Sequence, residues 1–259
     1  MSFEEITLSH GGVTARVAPM RGSIITHLEV DGKPLLYLDR ETFDDPGRSV
    51  RGGIPILFPF AGELDDDQLR SSRTRIGRHG FARERPWKVV GQNAVQIRTQ
   101  LVVDDAARRI FPHDFEIEQT CLLIPSGIQI DLLVMNTGSH PMPIAPGWHP
   151  YFLCPNEEKG RITCEPSTFD HAAIPLDGGF DFGVPAPTRG VCTFQIPGLG
   201  SLRLTLNPAL RHLQFWSLPG ADYACIEPWT GPNNAINTAA RVMVSPGTAM
   251  LTWFRIEVI

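Results

Sequence analysis

The hydrophobic pattern repeats every two residues rather than every 3.6, and this constrains the fold more than any other feature. In 93–103, Val95, Ile97, Thr99, Leu101 and Val103 alternate with Gln96, Arg98 and Gln100. In 114–124, Phe115, Ile117, Cys121 and Leu123 alternate mainly with Glu116, Glu118 and Thr120, and in 126–136 Ile128, Ile130, Leu132 and Val134 form one face. Side chains on a strand point to opposite faces in turn, so this alternation marks half-buried strands. Pro125, Ser126 and Gly127 lie between the last two runs, and such residues favour a hairpin. Further strands are expected at 3–8, 13–18, 23–30, 34–38, 86–91, 161–165, 191–196, 201–207, 212–218, 222–227, 240–245 and 249–258. Helical period is confined to short pieces, with 63–71 and 233–238 the best candidates. Many strands without helical crossovers predict an all-β fold of antiparallel sheets packed as a sandwich or barrel. No linker, repeat or low-complexity tract interrupts it, so one domain is expected over 1–259.

Composition supports this reading and excludes several classes. The chain has 24 Gly and 23 Pro, roughly 18% of its 259 residues against about 12% on average, which implies many turns. Apolar residues make up 42%, enough for a core that requires no disulfide or metal staple. No run reaches the roughly 18 apolar residues a membrane helix requires. The net charge of −5 argues against nucleic-acid binding, which rests on Lys and Arg neutralising phosphates. Cys121, Cys154, Cys164, Cys192 and Cys225 form no C-x-x-C pair, and Met1 to Glu5 contains two acids and no base. The expectation is reduced thiols in a cytoplasmic protein without a signal peptide.

Three segments break the alternation: 51–62 with 78–87, 141–155, and 225–238. Each is dense in Pro, Gly and aromatics, and each carries an ionisable residue among apolar neighbours: His79, His149 and Glu227 respectively. Proline pairs poorly inside a sheet, so these segments are expected as rigid connections, where sites tend to sit. Imidazole titrates near neutrality, and a carboxyl in an apolar setting can act as a base, so the three form a sufficient acid–base set.

The blocks Arg51-Gly52-Gly53-Ile54-Pro55 with Phe58-Pro59, His79-Gly80-Phe81-Ala82-Arg83, Trp148-His149-Pro150-Tyr151-Phe152, and Glu227-Pro228-Trp229 with Asn233 to Thr238 resemble, in order, the galactose mutarotase-like family. This family comprises the aldose 1-epimerases and their hexose-6-phosphate relatives. The resemblance covers roughly residues 10–255 and implies an antiparallel β-supersandwich that interconverts sugar anomers with no cofactor and no metal. It implies Glu227 as general base at the anomeric hydroxyl, His149 as general acid at the ring oxygen, and His79 beside the anomeric centre. Arg51 and Arg83 would line the sugar pocket. An Asp lying between the second His block and the Glu block would hold sugar hydroxyls, and Asp170, Asp177 and Asp181 are available, with Asp181 taken as the candidate. Of the neighbouring aromatics Phe81, Trp148, Tyr151 and Trp229, Trp148 and Trp229 are taken as candidates to stack on a sugar face.

Residues 63–85 hold Glu63, Asp65, Asp66, Asp67 and Glu84 against Arg70, Arg73, Arg75, Arg78, Arg83 and Arg85. The four arginines from 70 to 78 suit a phosphate, since guanidinium binds oxyanions bidentately, and they equally suit a solvated loop. The expected partner is therefore a small-molecule sugar or sugar phosphate, with no nucleic acid and no membrane, bound by a monomer or homodimer. Two other classes remain open: a non-catalytic carbohydrate-binding or sugar-sensing module, and a metalloenzyme using the two imidazoles and the carboxylate.

Overall fold

A computed structural model of the chain describes residues 3–70, 73–166, 175 and 177–259. Its largest element is an eight-stranded sheet, antiparallel throughout, ordered Thr163–Glu165, Val191–Ile196, Gly200–Leu206, Ala249–Val258, Gly127–Asn136, Phe115–Ile124, Gln96–Leu101, Trp87–Gln92. The alternation read from the sequence sets its inner face. Ile117, Cys121 and Leu123 pair across to Val134, Ile130 and Ile128, and with Phe115 and Leu132 they lie in one continuous core. The hairpin closes with Ile124 opposite Gly127, as its turn residues predict.

The sheet also buries polar side chains, Thr99, Gln119, Asn136 and Thr252. Gln119 is fully buried, donates to the Ser23 carbonyl at 2.8 Å and accepts from the Trp148 indole at 3.1 Å. Both ends of its amide are satisfied, which a buried polar group requires. The Trp148 bond also ties this sheet to the second.

The second sheet runs Phe180–Pro185, His212–Ser217, Tyr223–Trp229, Gly147–Trp148, Ile56–Leu57, with Tyr151–Leu153 also paired to Tyr223–Trp229. The expectation that the Pro-rich segments lie outside the sheets is corrected here. The first two enter as pieces of two or three residues, with Pro55, Pro59, Pro146 and Pro150 in the gaps between pieces, while the third enters through Tyr223–Trp229, which carries Pro228 inside the strand. At those four positions the ladder does not ask proline for an N–H. The Phe180–Pro185 strand was not expected from the sequence at all. Phe180, Phe182 and Val184 do alternate with Asp181 and Gly183, but the run is short and set among Gly178, Gly179, Gly183 and Pro185, which read as turn residues.

A four-stranded sheet of Ile6–His10, Val13–Ala18, Ile24–Val30 and Lys33–Pro34 joins the same core. The two helical candidates reduce to single 3-10 turns, Asp65–Asp67 and Ala235–Asn237. Two short α-helices, Arg40–Asp44 and Asp105–Ile110, were not expected; the side chains of Asp39 and Asp104 cap their N-termini, satisfying amides that otherwise lack partners. The five cysteines are all buried, and no disulfide joins any of them. Among the described residues, no helix is long and apolar enough to cross a membrane.

Candidate active site

The alternation of the second sheet divides its side chains by chemistry. Leu213 and Phe215, with Ala224 and Ile226, face the shared core. The intervening residues His212, Gln214 and Trp216, and Tyr223, Cys225, Glu227 and Trp229, take the opposite face. Asp181 and Gly183 stand beside them on the neighbouring strand. Over this face a cleft opens, lined by Gly62, Glu63, Arg78, His79, His149, Asp181, Gln214, Trp216, Glu227, Trp229 and Asn233.

Three residues singled out in the sequence meet there. His149 Nε2 lies 3.4 Å from Glu227 Oε1. The other carboxylate oxygen, Oε2, accepts from the Trp229 indole N–H at 3.2 Å. The His79 and His149 rings sit edge to face with centroids 5.4 Å apart. His149 stacks on Tyr151 at 4.5 Å and 10° and meets Trp216 edge-on at 5.6 Å. Glu227 is 1% exposed and both imidazoles 5%.

His79 is fixed twice over by one glycine. Its backbone N–H donates to the Gly62 carbonyl at 2.8 Å, and its Nδ1 accepts from the Gly62 N–H at 2.9 Å. An accepting Nδ1 places the ring proton on Nε2 in the neutral imidazole. The backbone here has φ +68°, a region non-glycine residues rarely occupy. Gly80 follows at φ +70°, and a Cβ there would run into the Phe58 carbonyl. The Gly62–Glu63 loop is held in turn by Asn233, whose side-chain oxygen accepts from the Glu63 N–H at 2.9 Å.

Burial governs the electrostatics. It pushes the Glu227 carboxyl well above its ordinary range, opposed by the Trp229 hydrogen bond and by Arg78 and Arg83. Burial, then the Arg83 charge, holds His149 well below the usual imidazole range; the same two causes act on His79. Burial thus works against the charged form of both groups, raising the carboxyl and lowering the imidazole.

The remaining sequence candidates separate. Asp181 and Trp229 line the cleft. Asp177 lies outside the cleft lining, in the turn before Gly178, and Asp170 lies outside the described residues. Arg51 is exposed and outside the cleft lining, its guanidinium 5.6 Å from the Trp216 ring centroid. Arg83 also lies outside that lining, donating to the Arg78 carbonyl at 3.1 Å. The assignment of Trp148 as a sugar platform is corrected. Its side chain turns the other way, is fully buried against Phe254 at 4.9 Å, and bonds Gln119. The indole and imidazole of neighbouring residues on a strand point to opposite faces, so Trp148 packs the core while His149 enters the cleft. Phe81 likewise packs on Phe58. Within the basic cluster, Arg78 reaches the cleft and pairs with Glu63, and Arg70 pairs with Asp65 at 3.5 Å.

Gln214, Trp216 and Asn233 were not singled out in the sequence as site residues. The first two carried a usable signal: in 212–217 polar or aromatic residues alternate with Leu213 and Phe215. That pattern reveals a non-core face and leaves open whether the face meets water or a cleft. For metal binding, His149, Cys225 and Glu227 place one ligand atom each within 4.8 Å of one another. Burial raises the Cys225 thiol well above its usual range, which opposes the thiolate a metal requires.

Large antiparallel sheets carrying this cleft define a galactose mutarotase-like sandwich, and known proteins agree. A Synechocystis sp. PCC 6803 protein, Slr1438, superposes with TM-score 0.89 at 31% identity, covering 99% of this chain and 96% of that one. A galactose mutarotase-like protein from Lactobacillus casei superposes with TM-score 0.80 at 21% identity, covering 98% and 99%. The family model for aldose 1-epimerases matches residues 4–189, and the chain belongs to that family. Among curated proteins, a candidate glucose-6-phosphate 1-epimerase of Salmonella typhimurium is 31% identical over 114 residues, 42% of this chain and 36% of the relative. Another, from Cenchrus ciliaris, is 26% identical over 153 residues, 54% of this chain and 44% of the relative. The matched stretches thus span less than half the length of these two relatives.

Proposed function

We propose that this protein is an aldose 1-epimerase acting on an aldohexose or its 6-phosphate, with Glu227 and His149 as the exchanging acid–base pair. The observation that carries the reading is the 3.4 Å approach of His149 Nε2 to Glu227 Oε1 at the buried floor of a cleft. Opening a cyclic hemiacetal requires a proton removed from the anomeric hydroxyl and one delivered to the ring oxygen. Glu227 takes the first and protonated His149 gives the second, while the bond from C1 to the ring oxygen breaks. The aldehyde rotates about C1–C2. Closure on its other face returns both protons with the roles reversed, so neither group changes state over a cycle. Burial disfavours the charged form of each group, and the 3.4 Å approach of the two is what offsets it when the carboxylate and the imidazolium face one another. His79, whose Nδ1 is occupied by Gly62, donates from Nε2 to a sugar oxygen. Asp181 accepts from a hydroxyl, and Trp229 forms part of the wall.

Substrate class is tested by polarimetry on fresh α-D-glucose, α-D-galactose and glucose 6-phosphate. Anomer equilibration faster than buffer is the expected result. Absence of acceleration across a broad aldose panel would refute the reading, and sugar binding without acceleration would favour the non-catalytic binding module instead. A preference for the 6-phosphate would point to Arg78, the arginine on the cleft rim.

A further inference from the structure

Along the cleft wall, three side chains from two adjacent strands form a hydrogen-bonded chain that starts at the cleft-lining Asp181 and Gln214 and ends at His212. Gln214 Nε2 donates to Asp181 Oδ1 at 2.6 Å, and Gln214 Oε1 lies 3.0 Å from His212 Nε2. The chemistry of the end group fixes the direction of both bonds. A carboxylate only accepts, so Gln214 must turn its NH₂ to Asp181 and its oxygen to His212. An amide oxygen also only accepts, so His212 must present an N–H from Nε2. Burial holds His212 below the usual imidazole range, and a neutral ring with its one proton on Nε2 leaves Nδ1 bare. The imidazole also packs against Trp229, with centroids 5.5 Å apart and planes at 30°, and Trp229 is the donor to Glu227 Oε2.

The neighbouring strand is shaped around this chain. Gly183 lies opposite Gln214 in the register. A Cβ at 183 would run into both the His212 ring and the Gln214 amide oxygen. A glycine inside a strand weakens it and often marks a close approach; here the approach is that of the His212–Gln214 hydrogen bond. Asp181 is an exposed carboxylate on a sheet-edge strand. Without the chain it would have free rotamers to lose on binding a sugar.

We propose that His212 is a positioning residue for sugar recognition: through Gln214 it fixes the Asp181 carboxylate in the orientation that accepts a sugar hydroxyl. This rests on the epimerase reading for the role of Asp181. His212 never touches the sugar. It acts by keeping the Gln214 amide turned so that one Asp181 oxygen is occupied and the other is left for substrate.

Two substitutions separate the two arms of His212. His212→Phe keeps the ring against Trp229 and removes the N–H. His212→Gln keeps an N–H donor at a similar reach and removes the ring. Rates and KM are measured on whichever of D-glucose, D-galactose and glucose 6-phosphate the wild type equilibrates fastest, and on its monodeoxy analogues. For His212→Phe, KM should rise about 3- to 10-fold, the effect of one lost hydrogen bond, with kcat within about twofold. Discrimination against the analogue lacking the hydroxyl that Asp181 holds should shrink by a similar factor. His212→Gln should restore most of both. If His212→Phe does not fold, His212→Ala takes its place against His212→Gln. A wild-type KM in the variant lacking the N–H would overturn the proposal, as would a KM that rises equally for every deoxy sugar. Calorimetry with the same sugars separates this from failure of the epimerase reading. Binding by wild type without turnover refutes that reading, and the comparison at 212 is then made on Kd with the same expected factors; a protein that neither binds nor turns over refutes both.

Discussion

His149 and Glu227 approach to 3.4 Å through Nε2 and Oε1, and the two side chains are almost wholly enclosed. They arrive from different strands. Glu227 sits on Tyr223–Trp229, while His149 falls between the Gly147–Trp148 and Tyr151–Leu153 pieces that pair with that same strand. Packing thus fixes the pair in advance, which is what the proposed acid–base exchange on a sugar requires.

Glu227→Gln and His149→Ala should each lower kcat by about 10²–10⁴-fold, the usual contribution of a positioned acid or base. Polarimetry with matched circular dichroism spectra checks this. An unchanged rate in either variant would remove that residue from the reaction.

The same Glu227→Gln change should make the protein more stable near neutral pH. The folded-state pKa of Glu227 is raised above the unfolded value. The folded state therefore holds the proton more tightly, and stability from this group is fully present below the unfolded pKa and declines as pH rises through the folded one. A neutral amide lacks that dependence. Melting temperatures at pH 5 and pH 8 should show the gap between wild type and variant widening at the higher pH. His79 and His149 act in the opposite sense, because their pKa values are depressed; their contribution is present above the unfolded imidazole pKa and declines as pH falls below it.

Trp229→Phe should move the acidic limb of the rate profile to higher pH. The indole N–H bonds the carboxylate form of Glu227 and holds its pKa down against burial. Removing it leaves burial less opposed, so Glu227 stays protonated further up the scale. A profile of kcat/KM from pH 5 to 9 reads this directly, and a limb that stays in place or moves to lower pH would contradict it.

Gly80→Ala should cost about 1–3 kcal/mol through strain at a positive φ, beyond which the new methyl meets the Phe58 carbonyl. Because Gly80 follows His79, activity should fall as well. Urea titration gives the stability term, and a midpoint equal to wild type would show that the turn can relax.

Prolonged dialysis against a chelator should leave the epimerisation rate unchanged, since a proton exchange between His149 and Glu227 calls on no Lewis acid. Elemental analysis before and after dialysis completes the test. Loss of activity together with a stoichiometric metal, and its recovery on adding that metal back, would move His149, Cys225 and Glu227 into the role of ligands.

Much of the sandwich was legible in the chain before folding was considered. The strands Phe115–Ile124 and Gly127–Asn136 coincide closely with the runs read from alternation, because a half-buried strand writes its two faces directly into the sequence. Phe180–Pro185 was illegible. Phe180, Phe182 and Val184 do alternate with Asp181 and Gly183, but over six residues among glycines and a proline that alternation does not stand out from a turn. The Pro-rich blocks drew attention to His79, His149 and Glu227 but were expected as connections, since nothing local tells that proline can fall in the gaps between very short strands.

By itself the sequence determined the period-two architecture and the residue types available for acid–base chemistry, both of which depend on neighbours in the chain. Only the tertiary structure decided which of those residues share a space. Trp148 and His149 are adjacent in sequence, yet one bonds Gln119 in the core and the other faces Glu227 in the cleft. Asp181, Gln214 and His212 form one chain of bonds across two strands, 33 residues separating the carboxylate from the amide. Sheet register sets these distances. Register comes from the packing of the whole core, and no short segment contains it.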